Sequence, residues 1–173
     1  MSRLRVIRPR RKYYNSFLSA CREAHELNVS GWQPVAPEAF TRWKRTAPLV
    51  YFFLRAGLFL PDGVPRMETY WIMDGDTFAA ELQLRPYISD DQAIQIGHMG
   101  VGVRPGLWGR GFGTQAVRWG IRRLRELGVQ QICYVCDPEN AASTAIAEAC
   151  GFTRSSYRTL DGQGCEQSVY ILR

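Results

Sequence analysis

Apolar residues change their spacing along this chain so that extended and helical segments alternate. Leu4, Val6 and Ile7 lie in a short extended run, residues 4–8, that Pro9 stops. Tyr14, Phe17, Leu18, Cys21 and Leu27 then fall mostly on one helical face, and the breaker cluster at 28–31 ends that helix. Pro37 ahead of Glu38, Phe40 and Trp43 predicts a second helix with proline near its first turn. The apolar segment 49–60 fits a helix or a strand equally. Residues 67–73 and 77–85 read as a hairpin, because Asp74-Gly75-Asp76 supplies the Asp-Gly step that tight turns favour.

Residues 87–91 read as a loop and 93–103 as a third strand. That strand carries Gly97, Gly100 and Gly102, and glycine within a strand marks a bulge or a close approach of ligand or backbone. Ala116, Val117, Gly120, Ile121, Leu124 and Leu127 recur at helical spacing, with Gly128 placed to end the helix. Residues 131–136 form a buried strand. Asn140 caps a helix holding Ala142, Ala145, Ile146 and Ala149, closed by Gly151 and Phe152. Residues 152–160 and 165–172 complete the chain as an antiparallel pair about Asp161-Gly162. The order is mixed α/β without repeats or long linkers, and 173 residues suit one domain over 1–173.

Composition narrows the classes. No run approaches the ~20 apolar residues of a membrane helix, and the Arg-rich start lacks a signal peptide's apolar block, so a soluble cytoplasmic protein without membrane association is expected. Lys plus Arg number 22 against 16 acids, a net +6 that favours anionic partners. The run Arg3, Arg5, Arg8, Arg10, Arg11 and Lys12 suits a nucleic-acid arm, but Leu4, Val6 and Ile7 interleave with it as in an edge strand. Arg118, Arg122, Arg123 and Arg125 read as a solvated helix face. Five cysteines without a secretory signal point to reduced thiols. Cys133 and Cys136 lie three apart in a strand and face opposite sides, which argues against a zinc site.

The chemistry concentrates between the third strand and its helix, in Arg104-Pro105-Gly106-Leu107-Trp108-Gly109-Arg110-Gly111-Phe112-Gly113-Thr114. Alternate glycines let backbone N–H groups turn inward, and the helix beyond adds unpaired donors and a positive dipole end, so a phosphate or pyrophosphate fits there. A tight strand-to-helix connection without ligand has the same appearance. The dinucleotide-fold spacing and the Walker Gly-Lys-Ser/Thr ending are both missing.

This block, with Val101-Gly102-Val103-Arg104-Pro105 before it and Asp137-Pro138-Glu139-Asn140-Ala141-Ala142-Ser143 and Glu148-Ala149-Cys150-Gly151-Phe152 after it, resembles the GNAT superfamily of acyl-CoA N-acyltransferases. Trp108 stands in the first place of the usual Q/R-x-x-G-x-G/A loop, while Gly111 and Gly113 match it. That Trp and the Asn-x-x-Ser step are similar to the ribosomal-protein-type branch. The weaker similarity of Pro61-Asp62-Gly63, Tyr70-Trp71 and Gly97-His98 to predicted bacterial acetyltransferases of unassigned substrate extends over most of the chain.

The resemblance implies a single GNAT-like domain: a central, mixed but mostly antiparallel twisted sheet of six to seven strands, flanked by about four helices, with splayed central strands binding CoA. It implies acetyl-CoA as acyl donor without a metal, and direct transfer of the acetyl group to a primary amine in a ternary complex. On this reading the backbone of Val101, Gly102 and Val103 holds the pantetheine arm through a bulge. Trp108, Gly109, Arg110, Gly111, Phe112, Gly113 and Thr114 hold the pyrophosphate, and Asn140 and Ser143 stand at the pantetheine or thioester. Many relatives carry a tyrosine proton donor at the place of Ile146, which has no proton to give. Ser143 is the substitute acid, and Glu81 and His98 are the candidate bases. The acceptor, a small molecule or a protein amine, is left open, and a homodimer is compatible with this reading. A non-catalytic acyl-CoA-binding module and a nucleic-acid binder using the arginine runs are the competing readings.

Overall fold

The computed structural model describes residues 4–29, Trp32 and residues 66–173. The expected helix after Pro37 and the segment 49–60 lie outside the described residues.

Seven strands form one sheet in the order β1-β2-β3-β4-β5-β7-β6. They are β1 (Leu4–Ile7), β2 (Glu68–Asp74), β3 (Thr77–Leu84), β4 (Met99–Val103), β5 (Ile132–Cys136), β6 (Thr153–Leu160) and β7 (Glu166–Leu172). Every neighbouring pair is antiparallel except β4 and β5. The described helices are α1 (Tyr14–Glu26), α2 (Asp90–Ile96), α3 (Phe112–Glu126) and α4 (Ala141–Ala149). This is the expected mixed sheet of the GNAT fold, at the upper end of the expected strand number.

Side-chain alternation divides the core into two layers. One holds Ile72, Ala80, Leu82, Leu84, Met99 and Tyr134 under α3 and α4, the other Phe17, Trp71, Met73, Phe78 and Trp32 under α1. Phe17 stacks on Trp71 at 5.0 Å and meets Phe78 edge-on at 5.2 Å, an aromatic core that fixes α1 on the sheet.

The third strand differs from expectation in two ways. Its first part is helix α2, because Ser89 and Gln92 form a reciprocal capping box: Ser89 Oγ accepts the Gln92 N–H and Gln92 Oε1 accepts the Ser89 N–H. The expected loop 87–91 therefore runs into that helix, and the strand begins only at Met99. Second, β4 carries no bulge. Its register against β3 is continuous from Leu84↔Met99 to Ala80↔Val103, and the irregularity in this part of the sheet falls between Ile72 and Met73 instead. The β4 glycines serve close approach. A Cβ on Gly102 would lie 2.0 Å from the Trp32 ring, which stacks on Phe78 at 5.9 Å.

Candidate acyl-donor site

β4 and β5 meet and then part. Among the described residues Met99↔Tyr134 is their only paired position. The N–H of Arg85 donates to the His98 carbonyl and that of Arg104 to the Ala79 carbonyl, so the even positions of β4 bond toward β3. The backbone groups of Val101 and Val103 consequently face the fork that opens toward β5. The splay, rather than a bulge, frees them. The Val103 carbonyl accepts the Trp108 indole N–H at 2.9 Å, so Val103 offers the fork its N–H, while Val101 offers both groups.

The fork leads to the N-terminus of α3. A 3₁₀ turn (Pro105–Leu107) carries the chain over, and the expected loop follows with Gly109 at φ 72° and Gly111 at φ 78°. Gly111 is the N-cap and has no side chain to cap with, and the first helical bond runs from Gln115 N–H to Gly111 O. The N–H groups of Phe112, Gly113 and Thr114 are therefore left without helical acceptors at the positive end of the helix dipole. By contrast, α2 and α4 are capped, α4 by Asn140 Oδ1 accepting the Ser143 N–H at 3.0 Å. An uncapped helix start with no acid in its first turn fits a pyrophosphate.

Three side chains shape this end. Arg104 grips Glu23 of α1 through Nε, 3.0 Å from each carboxylate oxygen, and through Nη2, which also reaches Ser19 Oγ at 3.3 Å. This guanidinium holds the Glu23 carboxyl below its ordinary range. Arg110 is half-exposed and pairs with Asp74 Oδ2 at 3.3 Å while lying over the Phe112 ring. Gly113 serves contact rather than conformation, since a Cβ there would come within 2.7 Å of Ile146 Cδ1. The isoleucine that replaces the tyrosine of many relatives thus packs α4 onto the start of α3.

The catalytic candidates divide between the two faces of the sheet. Glu81 stands opposite Gly102 on the α1 face, only 1% exposed, and accepts Gln83 Nε2 at 2.8 Å and Trp71 Nε1 at 3.3 Å. Ser143 stands on α4 on the other face, its hydroxyl against the phenol of Tyr134. Burial pushes that phenol up to about 12, so it is neutral at physiological pH. Tyr134 was not singled out from the sequence, because a tyrosine inside an apolar strand reads as core. His98 is at the closed end of the fork. Its Nδ1 accepts the Cys133 N–H at 3.0 Å, and burial lowers its basicity.

Three residues of the first charged run are engaged by the fold. Arg5 bonds the Gly75 carbonyl and Asp76, Lys12 also pairs with Asp76, and Arg8 pairs with Glu68 and lies over the Tyr70 ring. No helix among the described residues is long and apolar enough to cross a membrane, and no group of three or more potential metal ligands occurs among them.

No curated protein matches the chain. Among solved structures, the microcin C7 self-immunity acetyltransferase MccE in complex with acetyl-CoA and AMP has a TM-score of 0.69 at 18% identity, covering 99% of this chain and 93% of its own. RimL, a ribosomal L7/L12 alpha-N-protein acetyltransferase in complex with coenzyme A, has a TM-score of 0.67 at 16% identity over 99% and 94%. Mycobacterium smegmatis RimJ in complex with CoA-disulfide has a TM-score of 0.66 at 18% identity over 98% and 81%. These likenesses establish the fold. The family model for the acetyltransferase (GNAT) domain matches residues 3–153, well over half of the chain. With the fork between β4 and β5 and the uncapped start of α3 in place, the chain belongs to the GNAT acetyltransferase family and is an acetyl-CoA-dependent acyltransferase.

Proposed function

We propose that the protein transfers the acetyl group of acetyl-CoA directly to a primary amine, and that the amine is the N-terminus of a peptide or protein. The observation that carries the transfer reading is the placement of a buried carboxylate, Glu81, and a hydroxyl, Ser143, on opposite faces of the fork. Acetyl-CoA supplies the activated acyl group. Glu81 receives the proton of the incoming ammonium on the α1 face. Ser143, steadied by Tyr134, gives a proton to the leaving thiolate on the α4 face, and the Val101 N–H stabilises the oxyanion between them.

The acceptor class rests on what surrounds the Glu81 face. Val135 alternates with Tyr134, which shares the Met99 face, so Val135 lies on the same face as Glu81 and Gly102. It floors a groove of about 710 Å³ walled by Gln95 and Ile96 of α2 and by Arg158, Thr159, Leu160, Asp161 and Gln167 of the last hairpin. Walls that are mostly amide, hydroxyl and apolar, with one arginine and one aspartate, suit an extended peptide. A polycation would need several acids, whereas the one acid on these walls, Asp161, accepts the Gln163 and Cys165 N–H groups and Arg158 adds a positive charge beside it. The names of RimL and of other solved neighbours, described as ribosomal-protein acetyltransferases, point the same way.

Release of free CoA, followed with a thiol reagent over peptides with free N-termini, a polyamine and an aminoglycoside, tests this reading. Turnover with peptides, falling at least a hundredfold in Glu81→Gln, is expected. Turnover confined to the polycations would overturn the acceptor class, and undiminished turnover in Glu81→Gln would remove it as base.

A further inference from the structure

We propose that His98 is a positioning residue, a clasp that ties β3, β4 and β5 together at the apex of the fork and sets how far β4 and β5 stand apart. The inference rests on the fork as the acetyl-CoA site, and it assigns His98 a role other than moving a proton.

Three hydrogen bonds converge on this one residue. Its carbonyl accepts the Arg85 N–H from the end of β3 at 2.8 Å, its N–H donates to the Cys133 carbonyl of β5 at 2.8 Å, and its Nδ1 accepts the Cys133 N–H at 3.0 Å. His98 and Cys133 are thus joined by a reciprocal pair in which a side chain stands in for a backbone carbonyl. Next to it, Met99↔Tyr134 is the one paired position of β4 with β5, and beyond it the strands separate. The clasp and that pair together carry the β4–β5 junction. Gly97 makes the approach feasible: its φ is 69°, and a Cβ there would lie 3.1 Å from the Val135 nitrogen and 3.3 Å from the Cys133 carbonyl oxygen.

A histidine performs this task only while neutral. With Nδ1 accepting, the proton sits on Nε2, and the ring borders a polar cavity of about 420 Å³ with Pro86, Asp90, Gly128 and Gln131 on its walls. The charged and titratable groups facing it are Asp90 from α2, which favours the imidazolium, Arg85 from the end of β3, which opposes it, and the Cys133 thiol of β5, which burial keeps protonated. Burial outweighs Asp90, and the imidazole is only 5% exposed. Protonation would turn Nδ1 into a donor facing the Cys133 N–H, two donors with no acceptor between them, and the clasp would open. The structure therefore couples the geometry of the fork to acid.

His98→Asn and His98→Leu separate this role from the others, because Asn Oδ1 occupies the place of Nδ1 as a permanent acceptor and Leu offers none. The readouts are CoA affinity by calorimetry from pH 5 to 8 and steady-state kcat and KM for acetyl-CoA. The wild type should lose CoA affinity toward the acid end of this range, because burial holds the imidazole below its ordinary value. His98→Asn should match the wild type within about threefold at pH 7.5 and lose the decline toward acid, while His98→Leu should bind about tenfold more weakly throughout. Wild-type affinity in His98→Leu would overturn the clasp. So would a His98→Asn enzyme that binds CoA normally but has lost turnover, which would return the residue to proton transfer, or one that keeps the wild-type decline toward acid. A wild type that binds no CoA would instead overturn the fork itself, and the clasp with it.

Discussion

Glu23 and Arg104 show how a single pair conveys order from one layer to another. Arg104 follows β4 directly and Glu23 is on α1, so their ion pair fixes the entrance of the pyrophosphate loop from outside the loop. The same carboxylate accepts the Gly106 N–H at 3.4 Å. The side chains are 17% and 30% exposed, so solvent screens part of the attraction. Glu23→Gln should cost roughly 1 kcal/mol in urea denaturation and raise KM for acetyl-CoA several-fold with a smaller change in kcat, because it loosens the loop without touching the reacting atoms. Unchanged KM in this variant would mean that the loop is rigid on its own. At this scale the left-handed glycines of the loop and the helix start behind it were legible in the sequence, but Glu23 was invisible, since its partner lies 81 positions away.

Elements explain where local patterns misled. The glycines of β4 suggested a bulge, yet Gly102 makes room for Trp32 and the free backbone groups come from strand splay, a property of the β4–β5 pair that neither strand encodes alone. Helix α2 was legible in its Ser89-x-x-Gln92 box, but the glycines that follow it drew the strand assignment too far toward the N-terminus. The junction of α3 with α4 makes a quantitative prediction. Gly113→Ala forces a Cβ against Ile146 Cδ1 and should destabilise the protein by about 1–2 kcal/mol. Ile146→Val deletes that methyl group, and a double-mutant cycle by denaturation should show a favourable coupling of at least about 0.5 kcal/mol. Additive effects would mean that α3 and α4 do not touch at this point.

At the scale of the whole molecule, the order of strands and helices was readable because periodicity and turn residues agree along most of the chain. The net charge of +6 was readable as well, but its use was not: Arg5, Arg8 and Lys12 are spent on the β2–β3 hairpin and on Glu68 rather than on an extended arm. Two groups link global stability to pH in the same direction. Glu23 is held below its ordinary 4.5, so its contribution is present above that value and lost as the pH falls through the carboxylate range. His98 is held below its ordinary 6.5, so folding favours the neutral ring and its contribution is lost as the pH falls from there. The melting temperature should therefore decline in two stages toward acid, with the upper stage removed in His98→Asn. An upper stage that persists in that variant would assign it to other groups.

The central claim is that the β4–β5 fork and the uncapped start of α3 together bind acetyl-CoA. Isothermal titration of the wild-type protein with acetyl-CoA and with S-acetylpantetheine, which lacks the pyrophosphate and nucleotide, tests it most directly. The account predicts saturable binding of acetyl-CoA and at least a hundredfold weaker binding of the truncated thioester, with the acetyl-CoA affinity reduced in Gly111→Val, where a β-branched residue would have to adopt φ near 78°. No binding of acetyl-CoA by the folded wild type, or equal affinity for the two thioesters, would contradict it.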